Sequence, residues 1–272
     1  MTMLIRAGYD IRFTTKQPTP MMALLSVHPS RVKDLKTTPH LATDPAISTH
    51  DYVDGFGNVA TRFVLPEGET ILSNDFVIED SGVEDRMVPG ARQLPVEELP
   101  DEVLVYLLGS RYCETDRLSD TAWGLFGHVD PGWTRLKAIL DYAHKHIEFG
   151  YHYARPTKTA WEAHQEGRGV CRDYAHLAIT LCRCMNIPAR YCTGFLGDIG
   201  VPSDSAMDFS AWFDVYLGGE WITVDARHNK PRIGRILMAR GRDATDCALT
   251  TAFGSAILTG FTVHTDVVET IG

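Results

Sequence analysis

The feature that most constrains this fold is a glycine pair between two strand-like segments. Residues 211–217 (AWFDVYL) and 220–226 (EWITVDA) are rich in β-branched and aromatic side chains, and Gly218-Gly219 joins them. Two glycines between such segments are typical of a two-residue β-hairpin turn. With that turn, position 210 lies diagonally across from Asp225, at a Cα separation of ~7–8 Å that long side chains can bridge. The sequence therefore predicts an antiparallel hairpin that brings positions 210 and 225 together.

A buried helix is predicted before the hairpin, and it begins at a cysteine. Between residues 171 and 185 apolar side chains recur every three or four positions, two glycines precede this stretch, and Pro188 follows it. Cys171 would lie in the first turn, where unpaired backbone N–H groups and the helix dipole favour an anion. We expect this position to lower the pKa of the Cys171 thiol toward neutrality and to supply amides for an oxyanion. Taken alone, the same cysteine also fits an ordinary core residue.

The spacing of apolar residues divides the rest of the chain into strand-like and helical parts. Short strand-like segments recur up to about residue 90, and a Pro- and acid-rich stretch, LPVEELPDE (94–102), follows them. Beyond it the spacing becomes helical, and residues 233–272 again look like strands. We predict an α+β protein with a β-rich N-terminal domain (1–95) and a second domain (96–272).

Composition narrows the class of protein. The 272 residues are 44% hydrophobic and 22% charged, with a formal net charge of -9, a balance that suits a globular protein with a buried core. No cluster of Lys and Arg is present, so we expect no nucleic-acid partner. No apolar stretch approaches the ~18 residues that span a bilayer, and the first residues lack the apolar region of a secretory signal. We expect a cytoplasmic protein with no membrane partner, and the sequence carries no signal for an oligomeric state.

Six cysteines raise the question of disulfides or a metal site. Their irregular spacing argues against a disulfide framework. Cys182 and Cys184, followed by Cys192, suggest zinc, but no second pair with His follows at metal-site spacing. We favour small apolar residues in a core and predict no metal and no cofactor.

Three ordered motifs resemble the bacterial transglutaminase-like superfamily, many members of which are regarded as candidate cysteine proteases. They are GVCRDYAHLAITLCRCMNIPARYCTGF (169–195), SAWFDVYLGGEWITVDARHN (210–229) and ARGRDATDCALTTAFGSAILTGFTV (239–263). The resemblance covers roughly residues 100–270. It implies a papain-like core, in which a helix packs on an antiparallel sheet, and chemistry at amide or other acyl groups.

The resemblance also implies roles for three residues. Cys171 matches the nucleophile, Asp225 matches the carboxylate that orients the base, and Ser210 occupies the position of the catalytic histidine. A serine hydroxyl is too short to reach from Asp225 to a thiol, and it has no pKa near 7, so it cannot serve as a general base. Losing the base typically removes several orders of magnitude of rate.

Three further residues are weaker candidates. His228 is the alternative base, although on an ideal strand it falls on the face opposite to Asp225. Gln165 would donate to an oxyanion, as a glutamine does in papain-like relatives, or would be an ordinary exposed side chain. Trp212 would form a wall of the core or of the cleft.

These residues lead to two hypotheses of function. The first is a thiol enzyme that attacks a peptide, protein or small amide, forms a thioester on Cys171, and passes the acyl group to water or an amine, with activity impaired by Ser210. The second is a catalytically inactive protein that keeps the fold and binds a peptide or protein. Ser210 is compatible with a natural or an engineered loss of the histidine.

Overall fold

Alternating apolar residues build the first sheets of the protein. The computed structural model describes residues 2–202 and 207–271. In its first part lie the strands β1 (Thr2–Thr15), β2 (Thr19–Ala23), β3 (Ala42–Asp44), β4 (Thr49–Val53), β5 (Val59–Leu65) and β6 (Gly68–Asp80). In β1, Ile11 and Phe13 are buried while Arg12 between them is exposed, which is the alternation of a strand with one face on a core. The predicted β-rich character of this part is confirmed.

The middle of the chain is helical. In order it contains α1 (Asp101–Leu104), α2 (Thr115–Phe126), α3 (Trp133–His146), β7 (Glu148–Phe149), α4 (Ala160–Glu166), β8 (Arg168–Gly169) and α5 (Cys171–Cys184). Short 3-10 helices lie at Pro29–Asp34, Val96–Glu98, Val105–Leu107 and Tyr151–Tyr153. Helix α5 is buried from its third residue to its end, and α2, α3 and α4 pack around it. None of the helices in the described ranges is long and apolar enough to cross a membrane.

The hairpin forms two strands of a four-stranded antiparallel sheet. The strands are β9 (Ala189–Leu196), β10 (Phe209–Leu217), β11 (Glu220–Val224) and β12 (Arg235–Gly241), in the order β11-β10-β9-β12. Gly218 and Gly219 have φ values of 64° and 89°, and positive φ at both central residues defines the turn that matches strand twist. The predicted register is confirmed from Leu217↔Glu220 to Phe213↔Val224.

Side chains of this sheet contribute to two hydrophobic cores. Ala211, Phe213 and Val215 of β10 pack in the core around α5. Phe195 and Ile236 pack in a second core with side chains of the N-terminal strands. The predicted α+β fold, with a helix packed on an antiparallel sheet, is confirmed.

The last two strands return to the N-terminal sheets. β13 (Thr250–Ala252) pairs with β2, and β14 (Ala256–Ile271) pairs with β1 along its length. The predicted second domain (96–272) includes these residues, because strand periodicity does not reveal which edge a strand will join. The division at residue 95 itself stays a prediction.

Candidate active site

Cys171 is the first residue of α5, and the residues around it fix the start of that helix. The carboxylate of Asp173 accepts a hydrogen bond of 2.9 Å from the backbone N–H of Val170. Gly169 leaves room for this contact, because a Cβ at that position would lie 2.5 Å from Oδ2 of Asp173. The side chain of Cys171 is half-buried and contacts the core around α5.

The electrostatic surroundings of the thiol differ from the expectation. Burial raises the pKa of Cys171 to about 11, although the positive charge of Arg227 and the backbone N–H of Ala211 act in the opposite direction. The prediction of a pKa near neutrality is therefore wrong, because desolvation of the thiolate outweighs the favourable helix start. At pH 7 only roughly one molecule in 10⁴ carries the thiolate.

Asp225 lies just beyond the end of β11, in a tight turn. Its carboxylate accepts hydrogen bonds from the backbone N–H of His228 at 3.0 Å and from Nδ1 of the same residue at 2.8 Å. The N–H of Asn229 donates to the carbonyl of Asp225 at 2.9 Å. This turn ends the ladder at Phe213↔Val224, so Trp212 and Asp225, which would be the next pair in the predicted register, do not pair. It also brings His228 to the side of Asp225, which an ideal strand would not.

Asp225 is ionised, and its charge fixes the proton on His228. Burial opposes ionisation, but Arg235, whose guanidinium donates to Oδ2 at 3.0 Å, and His228 together hold the pKa of Asp225 well below its usual range. A carboxylate can only accept hydrogen bonds, so Nδ1 of His228 carries the hydrogen. In the neutral ring Nε2 is then left to accept a proton.

Ser210 and His228 line the same cavity. The side chain of Ser210 is 5% exposed, and its Oγ has no hydrogen-bond partner among the described residues. The cavity has a volume of about 260 Å³, and its walls include Tyr151, Asp208 and Arg227. Arg227, Asp208 and the backbone N–H of Ala211, the neighbour of Ser210, all act on the pKa of the Cys171 thiol. Ser210 and His228 are therefore both part of the wall of this cavity.

Trp212 and Gln165 lie in different surroundings. Trp212 is 2% exposed, and the guanidinium of Arg235 lies 4.9 Å from the centre of its ring. It forms a buried wall beneath Asp225. Gln165 is exposed on α4 and does not line the cavity of Ser210 and His228. Its predicted role as an oxyanion donor stays a prediction.

Two charged residues at the site were missed by sequence reasoning. Arg235 forms ion pairs with both Asp225 and Asp85. No local sequence motif around Arg235 or Asp85 indicates these pairs. Asp85 and Arg235 are 150 positions apart, so only the three-dimensional fold reveals their contact. Arg227 had a sequence signal, since it lies between Asp225 and His228, but its charge was not considered.

The other five cysteines are buried thiols, so their labelling can be compared with that of Cys171 in the same protein. Cys113, Cys182, Cys184, Cys192 and Cys247 form no disulfide with one another or with Cys171. Across the described residues no group of three or more His, Cys, Asp or Glu side chains is placed to hold a metal ion.

Comparisons with known proteins identify the fold and the domain that carry these residues. The family model of the transglutaminase-like superfamily matches residues 122–226. The solved structure of a candidate cysteine protease from Cytophaga hutchinsonii superposes with a TM-score of 0.85 at 28% identity, covering 100% of this chain and 93% of that one. An uncharacterized protein of Mycobacterium leprae is 27% identical over 217 residues, 76% of each chain. Residues 122–226 therefore form a domain of the transglutaminase-like superfamily.

Proposed function

We propose that this protein is a thiol enzyme that acts on amide or other acyl bonds through a thioester on Cys171. The observation that carries the proposal is the Asp225–His228 pair, an oriented imidazole on a residue that lines the same cavity as Ser210. A thiol with a pKa of about 11 needs such a base, because it is protonated at neutral pH. In this proposal His228 serves as the base in place of the missing histidine at 210.

The proposed reaction has two halves. As the sulfur of Cys171 attacks the acyl carbon, Nε2 of His228 takes the thiol proton, and the carbonyl oxygen becomes an oxyanion. In this proposal, backbone amides at the start of α5, together with that of Ala211, which acts on the thiol, stabilise this oxyanion. The C–N bond then breaks, and the amine leaves with the proton from His228. Water or a second amine attacks the thioester with His228 again as base; the C–S bond breaks, and His228 returns the proton to the sulfur of Cys171.

The substrate is proposed as a class. The walls of the cavity contain apolar side chains, such as Leu196 and Phe209, and charged ones, such as Arg227 and Asp208. This mixture suits a peptide, a protein segment or a small amide. The absence of nucleic-acid partners and a cytoplasmic location stay predictions from the sequence.

A catalytically inactive binding protein is the second candidate function. Ser210 at the position of the catalytic histidine favours it, as does the raised pKa of Cys171. In that case the cleft would hold a peptide or protein without turnover.

Acyl transfer to Cys171 distinguishes these two functions. We expect p-nitrophenyl acetate to form an acetyl adduct at Cys171, detected by mass spectrometry, and a glutamine-containing peptide to release ammonia. Cys171→Ser removes both activities, and His228→Gln lowers both by about 10²–10⁴-fold because the base is lost. Cys192→Ser, which alters a buried thiol of β9, is the matched control and retains activity. Adducts that persist in Cys171→Ser, or full activity in His228→Gln, would contradict the proposal.

The pH dependence of alkylation tests the state of the thiol. Because the pKa of Cys171 is raised to about 11, labelling of Cys171 by iodoacetamide rises about tenfold per pH unit from pH 7 to 10. Peptide mapping separates this signal from that of the other five cysteines. A plateau already at pH 8 would show a lowered pKa and exclude this description of the resting site.

A further inference from the structure

The Asp225–His228 pair is held by residues outside the region that matches the superfamily. The matched region ends at residue 226, Arg235 lies on β12, and Asp85 lies between β6 and α1. We propose that Arg235, anchored by Asp85, is a positioning residue that orients Asp225 and, through it, the imidazole of His228. The catalytic consequence of this inference rests on the proposed function.

Arg235 is fixed on three sides. Its Nη2 donates to Oδ2 of Asp225 at 3.0 Å, and its Nε donates to both carboxylate oxygens of Asp85 at 2.9 Å and 3.1 Å. Its guanidinium lies over Trp212, and only 8% of the residue is exposed. A planar guanidinium held in this way offers one orientation to the carboxylate that it bridges.

Asp85 is anchored in turn by the backbone that leads into β12. Its N–H donates to the carbonyl of Arg232 at 2.8 Å, and its carboxylate accepts from the N–H of Arg232 at 2.9 Å. These two bonds attach the segment between β6 and α1, which has no regular secondary structure at Asp85, to residues 232–235. The carboxylate is thus held in position before it meets Arg235.

Arg235 and His228 both bind the carboxylate of Asp225, and this explains how Arg235 affects the orientation of His228. Oδ2 accepts from both Arg235 and Nδ1 of His228, while Oδ1 accepts from the His228 backbone N–H. Both oxygens therefore have partners, and the carboxylate is held in one rotamer. Without Arg235 a buried carboxylate would lose its strongest partner, so it would rotate or take a proton. Either change weakens the contact that orients the imidazole.

The sheet contains a matched control for a purely structural role. Arg190 is also 8% exposed, donates to Asp214 at 2.9 Å, and lies 4.0 Å from the ring centre of Trp221. It resembles Arg235 in burial, ion pairing and aromatic stacking, but its carboxylate partner is not Asp225. Arg190→Met therefore removes a comparable arginine without touching the Asp225–His228 pair.

A double-mutant cycle tests whether Arg235 acts through Asp225. We expect Arg235→Met to lower kcat for p-nitrophenyl acetate by about tenfold or more while KM changes little. In the Asp225→Asn background the same substitution costs no further rate, since its target is already removed. Arg190→Met retains the parental rate, and Asp85→Asn falls between the two. The inference would be overturned if the rate losses of Arg235→Met and Asp225→Asn multiply in the double variant. It would also be overturned if Arg190→Met loses as much rate as Arg235→Met.

A proton spectrum supplies a readout that does not need catalysis. The Nδ1–H of His228, bonded to a buried carboxylate, should give a downfield ¹H resonance that disappears in His228→Gln. We expect this resonance to persist in Arg190→Met and to be lost or broadened in Arg235→Met. A parent without it, or an unchanged resonance in Arg235→Met, would refute the positioning role even if Cys171 is an acyl carrier. Its selective loss in Arg235→Met, with no acylation of the parent, would instead keep the positioning role and reject the proposed function.

Discussion

At position 210 a buried hydroxyl has no hydrogen-bond partner among the described residues. Leaving such a group unsatisfied typically costs about 1–3 kcal/mol, so a residue chosen for stability alone would be apolar there. Ser210 borders the cavity that holds the imidazole of His228. The unsatisfied hydroxyl therefore belongs to a residue of the cavity wall.

In the His228→Gln background, which lacks the proposed base, Ser210→His is expected to raise amide hydrolysis by about 10²–10⁴-fold, measured as ammonia release from a glutamine-containing peptide. The new imidazole would enter the cavity beside Cys171, where its positive form would also stabilise the thiolate. In the parent, where His228 already supplies a base, the same substitution should change the rate much less.

Ser210→Gln is the matched control for this substitution. It adds similar volume without a group that titrates near pH 7, so it should give no gain. In the His228→Gln background, an equal gain in Ser210→Gln, or no gain in a folded Ser210→His, would contradict the assignment of position 210.

At the scale of elements, local signals predicted the hairpin and α5 well. Gly218-Gly219 predicted the turn because few other residues accept its positive φ values, and the apolar spacing after Cys171 predicted the helix to within one residue. The turn after Val224 was not predictable. It depends on the Asp225 carboxylate binding the backbone of His228, a contact that no periodicity encodes.

The pKa of Cys171 was missed for a different reason. The helix start is a local feature, but the burial that raises the pKa to about 11 comes from the packing of distant elements. The same holds for Arg235, whose partners come from two other segments of the chain. Sequence motifs thus indicated Cys171, Asp225 and His228 as candidates, and tertiary structure added the contact between Asp225 and His228 and its support by Arg235.

Gly218→Ala is expected to destabilise the hairpin. At a φ of 64° a Cβ costs about 1 kcal/mol, while space is not limiting because the nearest atom to such a Cβ would be 3.7 Å away. Urea denaturation should show a lower midpoint with an unchanged slope. Gly55→Ala is the control, since Gly55 has open space and no positive φ. An equal loss in both variants would show that backbone conformation is not the cause.

At the scale of the whole molecule, one sheet connects the two cores. Strands β9 and β10 carry residues of the core around α5 and residues of the core beneath the N-terminal strands. β14 adds to this connection, because it follows the site in sequence and pairs with β1. The site therefore lies near the boundary of the cores, and Asp85 reaches it from the segment after the N-terminal strands.

A buried histidine in each half of the chain makes stability depend on pH. Burial lowers the pKa of His28 to about 4 and that of His176 to about 3. In the unfolded chain both rings bind a proton near pH 6.5, whereas the folded protein resists protonation. Their stabilising effect is complete above pH 6.5 and is lost as the pH falls toward 4 for His28 and toward 3 for His176.

We expect the free energy of unfolding to fall between pH 6 and 4 by up to about 1.4 kcal/mol per pH unit for each histidine. His28→Asn should remove one of these contributions, because the Asn oxygen can replace Nδ1 as the acceptor for the Ser30 N–H without binding a proton. Urea titrations at pH 4, 5, 6 and 8 measure the slope, and the value at pH 8 corrects for the substitution itself. His176→Asn provides the comparison. Because the pKa of His176 is lower than that of His28, the pH dependence of its free energy of unfolding should differ from that of the parent down to a lower pH. A parental slope in His28→Asn would exclude His28 as a source of acid sensitivity.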